Sequence, residues 1–439
     1  MNDTKTTIWK RVLIAAAAAV SVFLYVLFWY HVTRPITLTV GVYAGSYWGT
    51  SIGDSYRILD EAIRIFEEKH PAVRIRYVSG IGKNDYSEWI AEQIVKGREP
   101  DIFFVLPEDF SLLANTGALL PLDDLIREDG QFQLSVYYEA CRKAGQMGDS
   151  QYALPYESVP TLMFVNKSLL TKYHISMPAH SWTWEDFYDI CVRIGNESAR
   201  EEEKAYGSYN YRWTDMLCAN DAVLFSEDGK KCYLGSHGVR DSVLFYKKLN
   251  DLNEGYTVTS RDFDDGRVAF RPFLFSDYKM YQPYPWRVKK YSNFEWDCVE
   301  MPSGPQGRNV CEIQSTMIGV SARTRKKELA WEFLKLLSAD EELQKKLYFS
   351  SLGISPLIAV AEDEAILNDL FKDIPGDYAI NRDVIHEIMS TGVSAPRFRR
   401  YRQAMIMAES EVESALKSGR AIEEHLLNSQ HEINIMLEQ

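Results

Sequence analysis

Between Tyr152 and Lys167 the chain reads YALPYESVPTLMFVNK. Thr161 to Val165 is an apolar run with the length and the β-branched and aromatic content of a buried strand, and Pro155 and Pro160 fence it off from what precedes. The pattern predicts a core strand that begins after an irregular crossing, because a proline-rich segment is neither ladder nor helix throughout. Tyr156 and Glu157 lie in that crossing. An aromatic face beside a carboxylate can grip a polyhydroxylated ligand; the same two residues also fit a plain surface loop. Asn166-Lys167 then turns into a helix from Ser168, so the stretch reads as a junction between two folded regions.

A chain of 439 residues exceeds what one hydrophobic core usually supports, so two lobes are expected from size alone. A hydrophobic fraction of 46% with 10 Trp, 26 Tyr and 20 Phe is ample core material and excludes a disordered chain. The aromatic excess fits core packing first and stacking platforms for sugar rings second. The formal charge of −13 argues against nucleic acid as a partner, since phosphate binding relies on a basic surface. No phosphate loop or zincin motif is present. Asp262, Asp264 and Asp265 lack the remaining spacing of a calcium loop and read as surface acid. No cofactor or metal is expected.

At the amino terminus Lys5, Lys10 and Arg11 precede Val12–Tyr30 (VLIAAAAAVSVFLYVLFWY), nineteen residues without a charge and long enough for one bilayer core as a helix. The preceding positive charge places the start in the cytoplasm and everything after His31 outside. The alanines come early and Phe28-Trp29-Tyr30 closes the run, unlike a small-residue cleavage site. A single-pass, uncleaved signal anchor in the cell membrane is therefore expected, with the bulk of the chain extracellular.

Six cysteines in an exported chain invite pairing. Cys218 with Cys232 and Cys298 with Cys311 each flank a turn-like segment and stand as possible disulfides, whereas Cys141 and Cys191 sit in helix-like contexts and read as buried thiols.

Along the chain, Ile36–Val42 reads as the first exported strand and ends in a loop from Tyr43 to Gly49 with three aromatics. Ligands gather at the carboxyl ends of strands in open α/β sheets, which makes Tyr47 and Trp48 binding candidates. A helix over Tyr56–Lys69, a strand over Val73–Val78, a helix over Tyr86–Lys96 and a strand over Asp101–Val105 give β-α-β order and hence a parallel sheet. Glu108 and Asp109 follow directly, either as hydroxyl acceptors or as acids ahead of the helix Phe110–Ala114. Thr183 with Asp186 forms a capping box, which makes Trp182 and Trp184 structural. Arg323–Lys327 and Arg397–Arg402 read as solvated basic helix faces.

Several blocks in order resemble the extracellular solute-binding proteins of bacterial ABC importers, the maltose- and oligosaccharide-binding group. They are Ile58–Tyr77, Tyr86–Val105, NTGALLPLDDLI at Asn115–Ile126, WEDFYDIC at Trp184–Cys191, Phe294–Pro305, AWEFLKLL at Ala330–Leu337 and GISP at Gly353–Pro356. The resemblance covers roughly residues 36 to 439 and implies the two-lobed periplasmic-binding-protein-like α/β fold of type II, with the ligand cleft between lobes. It divides the chain into 1–35 as the cytoplasmic start and anchor, 36–156 with 316–375 as lobe 1, and 157–315 with 376–439 as lobe 2. It also implies ligand contacts for Tyr47, Trp48, Glu108, Asp109, Tyr156 and Glu157, and stacking roles for Tyr211, Trp213, Phe273 and Phe275; relatives often carry Trp at these last two positions. A non-enzymatic, monomeric protein that delivers a carbohydrate to ABC permease subunits is implied. The alternatives are a carbohydrate-sensing adaptor for a membrane kinase, a glycoside hydrolase using Glu108 or Asp109 with Glu157, and a binding protein for a non-carbohydrate solute.

Overall fold

Eight strands carry the fold: β1 (Ile36–Gly41), β2 (Val73–Tyr77), β3 (Ile102–Val105), β4 (Ala153–Asn166), β5 (Tyr206–Ser208), β6 (Val268–Leu274), β7 (Trp296–Val299) and β8 (Ile313–Val320). The computed structural model describes Ser21 and residues 35–48, 56–281, 293–371, 382–418 and 421–438. Apart from Ser21, the apolar stretch Val12–Tyr30 lies outside the described residues. Among those described, no helix is long and apolar enough to cross a membrane.

The strands form one continuous path in the order β2-β1-β3-β8-β4-β6-β5, with β7 pairing β4 from the other side. β1 runs parallel to β2 and β3, as the β-α-β order requires, and β8 returns antiparallel between β3 and β4. This is a mixed α/β, periplasmic-binding-protein-like arrangement.

The crossing differs from the expectation. β4 is a single strand of 14 residues, with Pro155 and Pro160 inside it. Residues 153–160 pair along β8, with one isolated bridge from Ser158 to Ile354, and residues 161–166 pair with β6 and β7. The prolines therefore lie where the ladder runs on one side only, and Pro155 sits beside a register shift between Thr316 and Met317. A missing N–H is tolerated at such an edge or bulge. One strand is thus shared by both halves of the molecule.

Helices cover the sheet through apolar faces spaced at three and four residues. The helix α1 (Arg57–Lys69) buries Ile58, Leu59, Ala62 and Phe66, and Phe66 meets Phe333 of α4 (Lys327–Ala339) edge-on at 5.2 Å; α2 (Lys83–Val95) and α3 (Trp184–Ser198) precede α4 in the chain. α3 starts on the expected box: Thr183 Oγ1 accepts from Asp186 N, and Asp186 Oδ2 accepts from Thr183 N at 2.8 Å. In the other half, Phe164 of β4 is fully buried against Phe263, Phe273 and Trp296. Truncating such a ring costs about 3–5 kcal/mol.

The carboxyl-terminal helices α6 (Tyr401–Ser418) and α7 (Ile422–Glu438) close over Trp213, Phe225, Leu234 and Val239. The preceding helix α5 (Arg382–Thr391) packs instead on Glu139–Lys143, beside β4 and β8. Just after α5, Val393 bridges to Glu312.

Further expectations are corrected. All six cysteines are free thiols, and within the hairpin Cys232 stands opposite Phe225, not Cys218. Asp262 is buried: its Oδ2 accepts from Thr259 N at 2.8 Å and its Oδ1 pairs with Arg267 at 2.6 Å. The 323–327 basic segment is tied down. Lys326 Nζ and Thr39 N each donate to Asp101 Oδ2 at 2.9 Å, Thr324 Oγ1 donates to Asp101 Oδ1 at 2.6 Å, and Arg323 Nη1 donates to Ile94 O at 2.9 Å.

Candidate functional site

One wall of the cleft grows from the ends of β1 and β3. Beyond β1, the buried Tyr43 ring stands edge-on to Tyr86 at 5.3 Å and Phe104 at 5.7 Å, which anchors the loop. Tyr47 and Trp48 then meet edge-to-face at 4.5 Å. Trp48 is buried, Tyr47 half-buried with Lys83 Nζ 4.4 Å above its ring. Beyond β3, Glu108 is exposed, and its Oε2 accepts from Tyr47 OH at 2.8 Å. Burial, the Glu108 charge and this hydrogen bond all push the Tyr47 phenol upward. Asp109 accepts from Ser87 Oγ at 2.6 Å; burial raises its carboxyl above the usual range, Ser87 pulls it back and Glu108 adds to the rise.

Tyr156 and Glu157 come from β4, at the shared part of the sheet. Tyr156 packs edge-on to Phe104 at 4.9 Å. Glu157 is buried and its Oε1 accepts from Gly353 N at 2.5 Å. A Cβ at position 353 would lie 2.3 Å from Glu157 Cγ, so only glycine allows this approach. Burial pushes Glu157 above the ordinary carboxylate range, partly offset by Ser351, the Gly353 N–H and the Lys279 charge. These six expected residues lie along connected elements, with Glu157 tied into the framework and Glu108 most open to solvent.

The facing wall comes from three distant segments. Arg397, in the stretch before α6, donates from Nη1 to Pro107 O at 3.0 Å and so reaches across to the first wall; its Nε is buried without a partner. Glu312, just before β8, is half-buried; its backbone carbonyl accepts from Thr161 N at 3.2 Å, while its carboxylate makes no hydrogen bond or ion pair among the described residues. Burial raises its carboxyl; the Arg397 charge counters this and Asp215 reinforces it. Burial also lowers the Arg397 guanidinium, against the fields of Glu312, Tyr401, Tyr47 and Glu108. Asp215 is raised by burial while its Oδ2 accepts from Arg212 N at 2.8 Å.

Arg397 and Glu312 were not among the expected site residues. Arg397 reads as a solvated patch because its basic neighbours mask it, although Pro396 before it signals an extended approach. Glu312 carries a faint signal, a charge set against an eight-residue apolar strand.

Tyr211, Trp213, Phe273 and Phe275 pack into the framework. They are 3%, 5%, 1% and 1% exposed. Tyr211 packs on Phe187 at 5.3 Å, Trp213 joins the cluster under α6 and α7, Phe273 packs on Phe164 at 5.2 Å and Phe275 on Tyr278 at 6.0 Å. None of these four leaves a broad ring face for a sugar to stack on.

Among the described residues, one group of three metal-donor side chains lies close together, His180, Glu300 and Glu387. Its imidazole stands between the acids, Nδ1 3.1 Å from Glu300 Oε2 and Nε2 3.2 Å from Glu387 Oε2. Each ring nitrogen faces a different carboxylate, so the imidazole bridges the two acids, whereas a single ion could use only one of its nitrogens.

Comparison with known proteins adds to this geometry. The family profile described as bacterial extracellular solute-binding protein matches residues 49–344. The chain is similar to the galactooligosaccharide-binding protein of Bacillus subtilis, 22% identical over 336 residues that make up 70% of this chain and 72% of that one. A solved ABC substrate-binding protein of Listeria monocytogenes in complex with cycloalternan aligns with a TM-score of 0.69 at 22% identity, over 92% of this chain and 100% of that one. A cyclic alpha-maltosyl-1,6-maltose binding protein of Arthrobacter globiformis aligns with a TM-score of 0.76 at 15% identity, over 92% and 99% of the two chains.

Proposed function

Because the chain belongs to the bacterial extracellular solute-binding protein family, we propose that it captures a sugar or oligosaccharide between its two walls and hands it to the membrane subunits of an ABC importer. The observation that carries this reading is the convergence of polar side chains from distant segments. Glu108, Asp109 and Glu312 offer carboxylate oxygens as hydroxyl acceptors, Arg397 offers guanidinium donors from the opposite side, and the Tyr47 ring borders them. Adjacent sugar hydroxyls act as donor and acceptor at once and suit such a mixed lining. The oligosaccharides bound by the similar proteins point to the same class.

Capture works by hinge closure. β4 and β8 run through the shared part of the sheet, so a bend there opens one wall from the other. The Arg397–Pro107 hydrogen bond belongs to the closed form, and a ligand that touches both walls favours that form. The apolar stretch Val12–Tyr30 tethers the chain to the membrane with the cleft outside. Nothing in this scheme consumes the ligand.

The test is thermal unfolding of the full-length chain in mild detergent against neutral mono- and oligosaccharides, followed by calorimetry on any hit. A ligand at about a hundred times its dissociation constant stabilises the fold by roughly 2.7 kcal/mol. Reversible, stoichiometric binding with the saccharide recovered intact supports capture. A response to amino acids, peptides or polyols alone removes the carbohydrate class, and hydrolysis of the saccharide removes the transport role.

A further inference from the structure

Resting on hinge closure as proposed above, we infer that His180 is a proton-operated latch between the two halves of the molecule. With its ring charged it holds α5 to the second half and favours the closed form; with its ring neutral it lets go. α5 itself rests on the first half. There His386 Nδ1 lies 2.6 Å from Glu362 Oε1, which also accepts from Tyr138 OH at 3.0 Å. The next residue, Glu387, turns the other way and meets His180. His180 belongs to the second half, because the neighbouring Trp182 donates from Nε1 to Glu300 O at 2.9 Å just beyond β7, and β7 pairs with residues 163–166 of β4. Directly after α5, Val393 N donates to Cys311 O at 3.0 Å and Ile313 N to Val393 O at 2.8 Å, at the start of β8. A bend in β4 and β8 moves the two sides of the His180 contact against each other, so the contact resists it.

The two histidine contacts of α5 differ in what they ask of a proton. His386 faces one acid, and a neutral ring with its hydrogen on Nδ1 serves it. His180 faces two, with Glu300 Oε2 3.1 Å from Nδ1 and Glu387 Oε2 3.2 Å from Nε2. A neutral imidazole has a single N–H, so one carboxylate would then look at a lone pair; only the charged ring donates to both. Glu300 is held in place, buried and with Oε1 accepting from Ser181 N at 2.5 Å. Cations on the Glu139–Lys143 helix beneath α5 are engaged elsewhere: Lys143 pairs with Glu139 at 2.9 Å, and Arg142 donates to Gln146 at 3.1 Å. Burial raises the Glu300 carboxyl, the Ser181 N–H and the His180 charge pull it back, and Glu387 adds to the rise. The contact is thus complete on the mildly acid side and fades as pH rises through about 5 to 8, where histidine sheds its proton.

The test needs no ligand. Fluorophores on non-natural residues at Val95 of α2 and Asp189 of α3, exposed positions in the first and second halves, report open and closed populations of the full-length chain in mild detergent with EDTA. The closed-to-open ratio of the wild type is expected to rise about threefold from about pH 8 to about pH 6, the effect of one exposed charged contact. His180→Gln and Glu387→Gln, at two exposed positions, should each remove most of that rise, and His386→Gln should leave it in place. A ratio that is flat in pH, or a rise that survives both His180→Gln and Glu387→Gln, overturns the latch. A rise lost only in His386→Gln overturns the role of His180. A response that appears with added zinc and not in EDTA overturns the proton as its agent. One distance at every pH overturns hinge closure and the latch with it, whereas two clear populations without a pH response leave capture by closure standing.

Discussion

The two walls of the cleft are built in opposite ways. On the first, Glu157 is locked to Gly353 N, Asp109 to Ser87 and Glu108 to Tyr47, so its polar groups are held by their own framework. On the second, the Glu312 carboxylate has no hydrogen-bond partner among the described residues and Arg397 spends one donor on the opposing backbone while its Nε stays unpaired. Both Glu157 and Glu312 are raised by burial, but only Glu157 accepts a hydrogen bond in return, while Glu312 is offset by the Arg397 charge alone. A satisfied carboxylate stabilises position and shape. One that no protein group engages keeps its acceptors for water or for a ligand hydroxyl.

Substitutions test this contrast directly. The largest expected effect is on Glu157→Ala, which leaves the Gly353 N–H buried without an acceptor and opens a gap; the loss is roughly 3 kcal/mol in urea unfolding. A loss below about 1 kcal/mol would put the two walls on equal terms. Next, Arg397→Ala should weaken saccharide binding by about 2 kcal/mol, near thirtyfold in Kd, by removing a charged donor that meets the ligand and the closed form together. An unchanged Kd in calorimetry would place Arg397 outside the grip.

A smaller effect tests the bracing behind the first wall. Burial pushes the Asp101 carboxyl up, but Thr324, Lys326 and Thr39 outweigh it and hold the group below its ordinary range. With the folded value depressed, the stabilisation is fully present above the unfolded value of about 3.9 and fades as pH falls through the folded value. Asp101→Asn should therefore flatten the acid limb of the stability profile by about 1–2 kcal/mol. Identical acid limbs for wild type and variant would contradict the brace. Glu157 has the opposite sign: its raised carboxyl favours the fold at low pH, and that contribution is lost as pH climbs from about 4.3 through the folded value. The smallest change is expected for Glu312→Gln, which should leave unfolding free energy unaltered or raised by up to about 1 kcal/mol while binding suffers. A clear loss of stability would show that Glu312 is framework after all.

How much of this was legible in the chain differs between the same two walls. Tyr47, Trp48, Glu108 and Asp109 stand directly after strands, and the β-α-β order brings the ends of parallel strands to one side, so neighbours in pattern become neighbours in space. The Thr183–Asp186 cap and the buried faces of α1 and α3 are local in the same sense. The second wall has no such shortcut: Arg397 and Pro107 stand 290 positions apart. Nothing near Arg397 tells whether its guanidinium turns to water, as that of the exposed Arg399 does, or into the cleft.

Local spacing was therefore enough for the element types, the parallel sheet of the first half and the family pattern, because these rest on period and order along the chain. Whether Tyr211, Trp213, Phe273 and Phe275 face a ligand or the core, whether β4 runs unbroken past two prolines, and which carboxylate is left without a partner were decided only by the tertiary structure. The reason is physical: periodicity records which side of an element avoids water, whereas the neighbour on that side is supplied by segments far away in the chain.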